Sequence, residues 1–312
     1  MVGILGEVKR YDVLGLGCVT VDDLFYVDHY PPPDVKTPVN SRTRNCGGLT
    51  CTALVTATRL GAQCGYAGVL GQDELSDYAL SQMASEGIDI QHARRDEDVK
   101  TLHAVGVIDE ASKTRNLFYY REGETGARED WPAAEVIVAA KVLFLDTYGI
   151  AGSIRAAKIA REVGISIVGD LERSSKPRFL ELLELVDHLI VPAECATSVT
   201  GATDLATATR GLWCDGRQVV VVTSGDEGCW YLSVENGSPT HVPAFEVDVV
   251  DTTGCGDVFH GAYAAALAEA QSLPDRIQLA TAAAAIKATQ KGGQAGIPSR
   301  QVVQSFLGER RP

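Results

Sequence analysis

The chain has 312 residues, of which 45% are hydrophobic and 22% charged, a composition that fits a globular protein and gives no support to a disordered, collagen-like or coiled-coil class. Acidic side chains outnumber basic ones by 41 to 28, and the formal net charge of −13 argues against a protein that binds nucleic acid through a broadly basic surface. At about 150 residues per domain the length allows two domains, so the order of the elements must decide.

Short apolar runs rich in β-branched residues alternate with segments of helical periodicity. The runs predicted as buried strands are Tyr11–Leu16, Gln63–Leu70, Lys141–Asp146, Ile165–Asp170, His188–Val191 and Gln218–Thr223. The segments predicted as helices are Asp73–Glu86, Gly152–Val163, Pro177–Val186 and most of the chain from Gly256 onward. This alternation predicts an α/β fold with a mostly parallel sheet covered by helices on both faces.

Two stretches break the alternation and are predicted to form β-hairpins. Val19–Val27 pairs with Val39–Arg44 in the first, and Leu102–Ile108 pairs with Arg115–Tyr120 across the polar turn Asp109–Thr114 in the second. Together they indicate a small β-sheet that projects from the main body.

No proline-rich or serine-rich linker and no internal repeat divides the sequence. We therefore expect a single domain over residues 1–312, with a lid formed by discontinuous insertions at approximately 19–45 and 99–122. The exposed edges of such a lid favour pairing with a second copy, so we expect a homodimer joined through the lids.

The eight cysteines include no C-x-x-C pair, and the opening residues MVGILGEVKRYD do not form a secretory signal. We therefore expect a protein of the reducing cytoplasm. No apolar run approaches the ~20 residues of a membrane-spanning helix, so no membrane partner is expected.

The segment from Val247 to Ala262 carries the strongest chemical signal, because a strand-like run meets a glycine-rich turn and then a helix. The free N–H groups at a helix start bind anions, and glycines allow a phosphate to approach the backbone. Asp257 in the first turn could accept a proton from an attacking hydroxyl. The alternative is a plain glycine turn followed by an acidic helix start.

The sequence DTTGCGD in this segment resembles the D-T-x-G-A-G-D signature of the ribokinase-like (PfkB) carbohydrate kinases. The resemblance continues in family order with Gly17–Asp22, the pair Gly47-Gly48, Thr223–Gly228 and Gly292–Pro298. It implies a ribokinase-like three-layer sandwich with a small β-sheet lid. It also implies ATP-dependent phosphorylation of a hydroxyl group on a small sugar or sugar derivative, with Mg²⁺ bridging the phosphates.

The resemblance assigns roles residue by residue. The residues matching the catalytic base and its anion hole are Asp257, Gly254, Cys255 and Gly256. The residues matching the sugar-binding positions are Asp22, Gly48, Thr52 and Asp257. The residues matching the ATP-binding loop are Thr223, Gly225, Gly228 and Gly256. Asp23 is expected on the opposite, solvent-facing side of its strand, since side chains alternate.

The resemblance also implies two kinds of metal site. A monovalent cation, K⁺, would be held mainly by carbonyl oxygens of Asp251, Thr253, Lys287, Gln290, Gly292 and Gly296. The asparagine of the family's N-x-x-E segment is missing, and Glu194 is a candidate to support Mg²⁺ in its place.

The acceptor stays open. The stretch from Pro243 to Phe306 is most similar to sulfofructose kinases, with ketohexokinases and ribokinases as broader relatives. After Gly47-Gly48 the chain lacks the lysine and asparagine of the ribokinase pattern G-G-K-G-A-N, which argues against ribose. The alternatives are a nucleoside kinase of the same fold, a catalytically silent sugar-binding regulator, and a nicotinamide-dependent oxidoreductase. The last is disfavoured because the third glycine of the dinucleotide fingerprint is missing after Gly15–Gly17.

Cys255 raises a separate hypothesis. A thiol at a helix N-terminus has a lowered pKa, which would make this cysteine reactive, while the nearby Asp257 carboxylate opposes the effect. The alternative is that Cys255 is only a small buried filler at a position where relatives carry alanine.

Overall fold

In the computed structural model of the chain, residues 9–112, 114–172 and 174–310 are described. The strands in these residues are β1 Tyr11–Gly15, β2 Thr20–Val27, β3 Ser41–Gly47, β4 Cys64–Tyr66, β5 Val69–Leu70, β6 Arg94–Arg95, β7 Lys100–Asp109, β8 Thr114–Glu122, β9 Ala140–Asp146, β10 Ser166–Asp170, β11 His188–Pro192, β12 Val219–Thr223, β13 Cys229–Ser233 and β14 Thr240–Val242. The helices are α1 Leu49–Arg59, α2 Glu74–Ser85, α3 Ala134–Val138, α4 Ile150–Glu162, α5 Phe179–Leu185, α6 Ala193–Thr200, α7 Leu205–Gly211, α8 Cys255–Ala268, α9 Leu273–Ala288 and α10 Arg300–Gly308.

The large sheet has eight strands in the order β14-β13-β12-β11-β10-β9-β1-β4. The pairs from β4 to β12 are parallel, and β13 and β14 add an antiparallel edge. Each predicted apolar run contributes a strand to the parallel part of this sheet. The predicted α/β fold with a mostly parallel central sheet is confirmed.

Helices cover both faces of this sheet, because successive apolar side chains of each strand point to opposite faces and both sets must be buried. In β9, Val142 and Phe144 pack into one core with helices α1, α8 and α9, while Leu143 and Leu145 pack into a second core with α4 and α5. Strands buried on both faces need apolar residues at every position. This requirement explains the uninterrupted runs in the sequence, such as the four valines of β12.

The second sheet has four strands in the order β3-β2-β7-β8. The pairs β2–β3 and β7–β8 are the two predicted hairpins, and β2 and β7 join them in parallel. We refer to these four strands as the lid sheet. Its outer strand β8 exposes its side chains along its whole length.

The predicted strand Gln63–Leu70 is wrong as a single element. The chain leaves the large sheet after β4, and only glycine fits at position 68 of this connection, since a side chain there would meet the carbonyl oxygen of Leu16 at 2.6 Å. The remainder, β5, pairs instead with β6 in a separate two-stranded sheet. The sequence reading also missed β13, β14 and the short helices α3, α6 and α7. Among the described residues, no helix is both long and apolar enough to cross a membrane.

Candidate active site

The carboxyl ends of the parallel strands meet the start of helix α8 at one edge of the large sheet. Strand β9 ends at Asp146, β10 ends at Asp170, and α8 begins at Cys255 after Gly254. Gly254 has a φ of 79°, a conformation that glycine adopts without strain, so the chain turns tightly into the helix. In open α/β sheets this edge is the usual place for a ligand.

Asp257 lies in the first turn of α8. Burial raises its pKa well above the usual range, and the neighbouring carboxylates of Asp170, Glu172 and Asp146 raise the pKa further. Lys287 acts in the opposite direction. A carboxylate with a raised pKa is a better proton acceptor, so this group has the electrostatic character that base chemistry requires.

The turn before α8 is tight, and one of its amides is already engaged. The amide of Cys255 donates to the carbonyl oxygen of Thr252 at 3.2 Å, and the amide of Val258 donates to Gly254 O at 2.9 Å. A side chain built at Gly256 would meet nothing within 4 Å. The backbone at Gly256 is therefore open to close approach from outside.

Asp146 is fully buried and organises three chain segments around it. Its Oδ2 accepts from the amide of Cys18 at 2.6 Å and from Thr50 Oγ1 at 2.8 Å, and its Oδ1 accepts from the amide of Tyr148 at 2.7 Å. A side chain at Gly17 would lie 2.1 Å from Oδ2, so only glycine fits there. Sequence reasoning missed this residue, although an acid that ends an apolar strand was a usable signal.

Asp170 is a second buried acid that sequence reasoning missed. It is 3% exposed, and its Oδ2 makes no hydrogen bond to any described residue. This oxygen lies 3.5 Å from His260 Nδ1, while the two ring nitrogens of His260 contact the carbonyl oxygens of Gly256 at 2.7 Å and Ile190 at 3.1 Å. The pKa of Asp170 is raised well above its usual value by burial, then by Glu172 and Asp146.

The predicted sugar-binding residues lie where the lid sheet meets α1. Burial raises the pKa of Asp22 to about 6, against the opposing effect of a hydrogen bond from Thr20. A side chain at Gly47 would lie 2.6 Å from Asp22 Oδ2. Gly48 has a φ of 96° and is the N-cap of α1, and a side chain there would meet Cys18 O at 2.7 Å. Gly47 therefore lets the backbone pass close to the Asp22 carboxylate, and Gly48 lets α1 start against the segment before β2.

Thr52 and Asp23 occupy different environments from Asp22. Thr52 is buried in α1, and its hydroxyl accepts from Gln294 Nε2 at 3.3 Å. Asp23 lies on the opposite face of β2, where it accepts two bonds from Arg44 at 2.8 and 2.9 Å and contacts His103 at 2.8 Å. Arg44 is the main cause that lowers the pKa of Asp23, so this acid is engaged in the lid itself.

One face of the lid sheet is turned toward the start of α8. The strand register places Asp22 opposite Ala104, and Ala104 opposite Tyr119, so Asp22 and Tyr119 share a face. Arg115, four residues before Tyr119, is on that face as well. Its Nη1 donates to Thr253 Oγ1 at 2.5 Å. The lid sheet therefore contacts the loop that leads into the helix.

The predicted ATP-binding residues follow β12. Thr223 ends the strand, and a single 3₁₀ turn spans Gly225–Glu227. Gly228 has a φ of 88°, and a side chain there would lie 2.1 Å from Val242 O, so packing against β14 already requires this glycine. A side chain at Gly225 would meet nothing within 4 Å, although its φ is 54°. Gly225 is the glycine of this loop with an open approach.

The structure brings the predicted monovalent-cation residues together, because the loop from Asp251 to Thr253 packs against the segment after α9. The Asp251 carboxylate accepts from the amides of Thr253 and Gly292, both at 2.9 Å. The carbonyl oxygen of Asp251, however, accepts from Lys287 Nζ at 2.7 Å. A carbonyl cage with an ammonium on one of its donors does not fit the expected K⁺. Of the other predicted ligands, Gln290 and Gly296 adjoin Lys287 O.

The predicted magnesium residue Glu194 lies exposed in the first turn of α6. Within the described residues, no group of three or more His, Cys, Asp or Glu side chains is arranged to hold a metal. Mg²⁺ usually takes one or two carboxylates and completes its shell with water and substrate phosphates. The unbonded Asp170 oxygen and the nearby Glu172 carboxylate supply donors of the kind that it prefers.

The reactive-thiol hypothesis for Cys255 is wrong in its direction. Burial raises the pKa of this thiol, Asp251 and Asp257 raise it further, and Lys287 opposes them. These causes favour the protonated thiol, which is opposite to the direction that the hypothesis requires.

Comparison with known proteins gives a consistent result. The sequence profile described as pfkB family carbohydrate kinase matches residues 15–300. A ribokinase of Haemophilus influenzae is 26% identical over 300 residues, covering 94% of this chain and 97% of that protein. Fructokinase-2 of Oryza sativa subsp. japonica is 24% identical over 296 residues, covering 84% of each chain. A crystallised E.coli chain in complex with ATP and Mg²⁺ has the same fold, with a TM-score of 0.81, 19% identity, and coverage of 96% of this chain and 99% of that one.

Proposed function

Because the chain belongs to the pfkB family of carbohydrate kinases, and is thus an enzyme that phosphorylates an alcohol group of a sugar with ATP, we propose a specific set of catalytic residues for it. Asp257 removes the proton of the attacking sugar hydroxyl. The backbone amides of Gly254, Cys255 and Gly256 stabilise the charge of the transferring phosphoryl group. The acceptor is a small sugar or sugar derivative.

The observation that carries the proposal is the position of Asp257 in the first turn of α8, with its pKa raised by burial and by three neighbouring carboxylates. A hydroxyl that loses its proton to this carboxylate can attack the γ-phosphorus in line, and the helix N-terminus lies beside the developing charge. The amide of Cys255 exchanges its 3.2 Å bond to Thr252 for the phosphoryl oxygen. Longer bonds of this kind are the cheaper ones to exchange.

We assign sugar recognition to Asp22 and the Gly48 turn, and Thr52 holds this turn, since its amide donates to Gly48 O at 2.9 Å. A carboxylate accepts bonds from two adjacent hydroxyls, which suits a sugar. Asp146 is a positioning residue, since its bonds to Cys18 and Thr50 hold the segments before β2 and at the start of α1. The contact of Arg115 with Thr253 supports closure of the lid sheet over the acceptor, which would exclude water as a competing acceptor.

ATP follows from the family, and we assign its binding to Thr223, Gly225, Gly228 and Gly256. Mg²⁺ supplies charge neutralisation of the phosphates when bound. The carboxylates of Asp170, Glu172 and Glu194 fit its preference for oxygen donors and water. Use of ATP also supports a cytoplasmic location.

We further propose that residues 1–312 form one domain and that two copies associate through their lid sheets. The support is the outer strand β8, where Phe118 and Tyr120 are 56% and 59% exposed and lie on one face of the lid sheet, while Tyr119, 69% exposed, lies on the other. Exposed aromatic side chains that share a face mark interaction surfaces. Light scattering at micromolar concentration tests this association, and a monomer for both wild type and Phe118→Asp would contradict it.

The test of the function is a phosphorylation screen with MgATP across ketoses, aldoses, sugar acids, sulfonated sugars and nucleosides, followed by product identification. A sulfonated ketose as the best acceptor would bear out the similarity to sulfofructose kinases. Phosphorylation of nucleosides alone would replace the sugar assignment. Sugar binding by calorimetry without turnover of any acceptor would contradict the kinase proposal and favour a silent binding protein.

A further inference from the structure

The side chain of Lys287 is fully buried near the C-terminal end of α9. Its Nζ donates to the carbonyl oxygen of Asp251 at 2.7 Å. A lysine is almost never fully buried without a partner, because removing the ammonium from water is costly. The partner here is a backbone carbonyl of the loop that leads to Gly254 and α8.

This loop is held at several other points. The carbonyl oxygen of Ala288, at the end of α9, accepts from the amides of Val250 and Asp251 at 2.8 and 3.0 Å. The Asp251 carboxylate accepts from the amides of Thr253 and Gly292. The ammonium therefore sits among backbone groups that fix the path of the chain into the α8 turn.

We propose that the Lys287 ammonium is a built-in monovalent cation, which holds the turn from Asp251 to Gly254 in place so that this enzyme needs no dissolved K⁺. The inference rests on the proposed function, in which the amides after this turn stabilise the transferring phosphoryl group.

The physical equivalence is direct. An ammonium carries the same unit charge as K⁺ and binds carbonyl oxygens at hydrogen-bond distance through its donors. Burial is the main cause that lowers the pKa of Lys287, and the guanidinium of Arg115 lowers it further, while Cys255 and the carboxylates of Asp251 and Asp257 raise it. Because this cation is covalently attached, it does not have to be captured and ordered from solution.

Substitutions distinguish a lysine that replaces K⁺ from a lysine that only stabilises the fold, because only the first can be replaced by dissolved K⁺. Lys287→Ala removes the ammonium and leaves room beside Asp251 O for a small cation. Lys287→Met removes the charge but keeps a side chain of similar length. Lys291→Ala removes a nearby exposed lysine and serves as the matched control.

Initial rates with the best acceptor are measured at constant ionic strength in choline chloride, NaCl, KCl and NH₄Cl. We expect wild type and Lys291→Ala to have the same rate in all four salts. Lys287→Ala should lose about 10-fold or more in kcat in choline and recover with saturation in KCl or NH₄Cl. Lys287→Met should lose as much and recover less, because its side chain fills the space.

Thermal unfolding midpoints in the same salts, without substrates, give a readout that does not depend on the kinase assignment. We expect K⁺ to raise the midpoint of Lys287→Ala relative to choline and to leave that of wild type unchanged. Activation or stabilisation of wild type by K⁺ over choline would overturn the inference, even if Lys287→Ala fails to fold. A Lys287→Ala variant that is fully active in choline would overturn it as well. Failure of the function itself would appear separately, as wild type without turnover in every salt.

Discussion

The catalytic edge of the large sheet and the lid sheet differ in how their acids are surrounded. Asp146 and Asp170 end strands whose two faces are covered by helices, and both side chains are almost completely buried. In the lid sheet, by contrast, the side chains of the outer strand β8 are all exposed. In the proposed function, the buried edge carries out phosphoryl transfer and the exposed lid sheet selects the acceptor.

The two proposed substrate-facing carboxylates show the same contrast. Burial is the largest cause that raises the pKa of both Asp257 and Asp22. At Asp257 three further carboxylates add to the effect. At Asp22 one carboxylate, Asp23, adds to it, while a hydrogen bond from Thr20 and the charge of His103 oppose it. Asp257 therefore lies among more carboxylates than Asp22, whose pKa is raised to about 6.

The largest expected effect is on the catalytic edge. Asp257→Asn keeps the shape of the side chain and removes the proton acceptor, so we expect kcat to fall at least ~10²-fold with little change in ATP affinity. Steady-state rates and ATP binding by calorimetry measure both quantities. Asp215→Asn, a substitution of an exposed acid distant in sequence, is the control. Turnover of Asp257→Asn close to that of wild type would remove the base assignment.

The corresponding change in the lid should affect binding rather than turnover. Asp22→Asn removes a charged acceptor of sugar hydroxyls, so we expect KM for the acceptor to rise about 10-fold, with a smaller change in kcat. Wild-type KM should also fall as the pH rises through about 6, because the carboxylate is the form that accepts two hydroxyls.

Asp23→Asn is the matched control for Asp22→Asn, because it changes the same residue type in the same strand but on the opposite face of the lid sheet. We expect it to lower the melting temperature, through loss of the bonds to Arg44 and His103, and to leave KM nearly unchanged. Equal effects of the two substitutions on KM would show that the faces of the lid do not have separate roles.

A smaller effect is expected on the pH dependence of kcat/KM when an acid near Asp257 is replaced. The charge of Asp170 raises the pKa of Asp257, so Asp170→Asn should move the acid limb of the kcat/KM profile for the acceptor to lower pH. The profile is measured at saturating Mg²⁺ and ATP, because Asp170 is also a proposed Mg²⁺ donor. The sign follows because Asp257 is active when deprotonated, and removing a nearby negative charge makes deprotonation easier. An acid limb that stays in place or moves upward would contradict this electrostatic coupling.

The smallest effect is expected where the two regions touch. Arg115 is exposed, and its bond to Thr253 is a contact between side chains at the surface. Arg115→Gln should raise KM for the acceptor by no more than about 5-fold. Steady-state kinetics of this variant beside Arg121→Gln tests the contact, and a larger loss in kcat than in KM would move Arg115 into the phosphoryl-transfer machinery.

Much of the fold followed from local patterns. The buried strands were visible as apolar runs, and α2 was bounded by Asp73, whose side chain accepts from the amide of Ser76 at 2.8 Å. The lid hairpins were visible from alternation and a polar turn. The strands β5, β6 and β14 are two or three residues long, so no periodicity can indicate them.

The candidate site divides in the same way. The turn before Asp257 is encoded in seven consecutive residues and could be identified directly. Asp146 accepts a hydrogen bond from Cys18, which is 128 residues away in the sequence, and Lys287 donates one to Asp251, which is 36 residues away. Contacts of this kind depend on how strands and helices pack, and a sequence pattern does not contain them. The prediction of a lowered Cys255 pKa was wrong for the same reason, because the burial and the neighbouring carboxylates that raise this pKa come from tertiary packing.

The parallel pairing of β2 with β7 also bears on how the chain folds. Val21 pairs with His103, and the residues between them build α1, α2 and the strands β4 to β6. Closing so long a loop is entropically costly until the intervening elements are formed. The β2–β7 pairing is therefore expected to form after the elements between these two strands. During synthesis the first hairpin keeps one edge unpaired until β7 has left the ribosome.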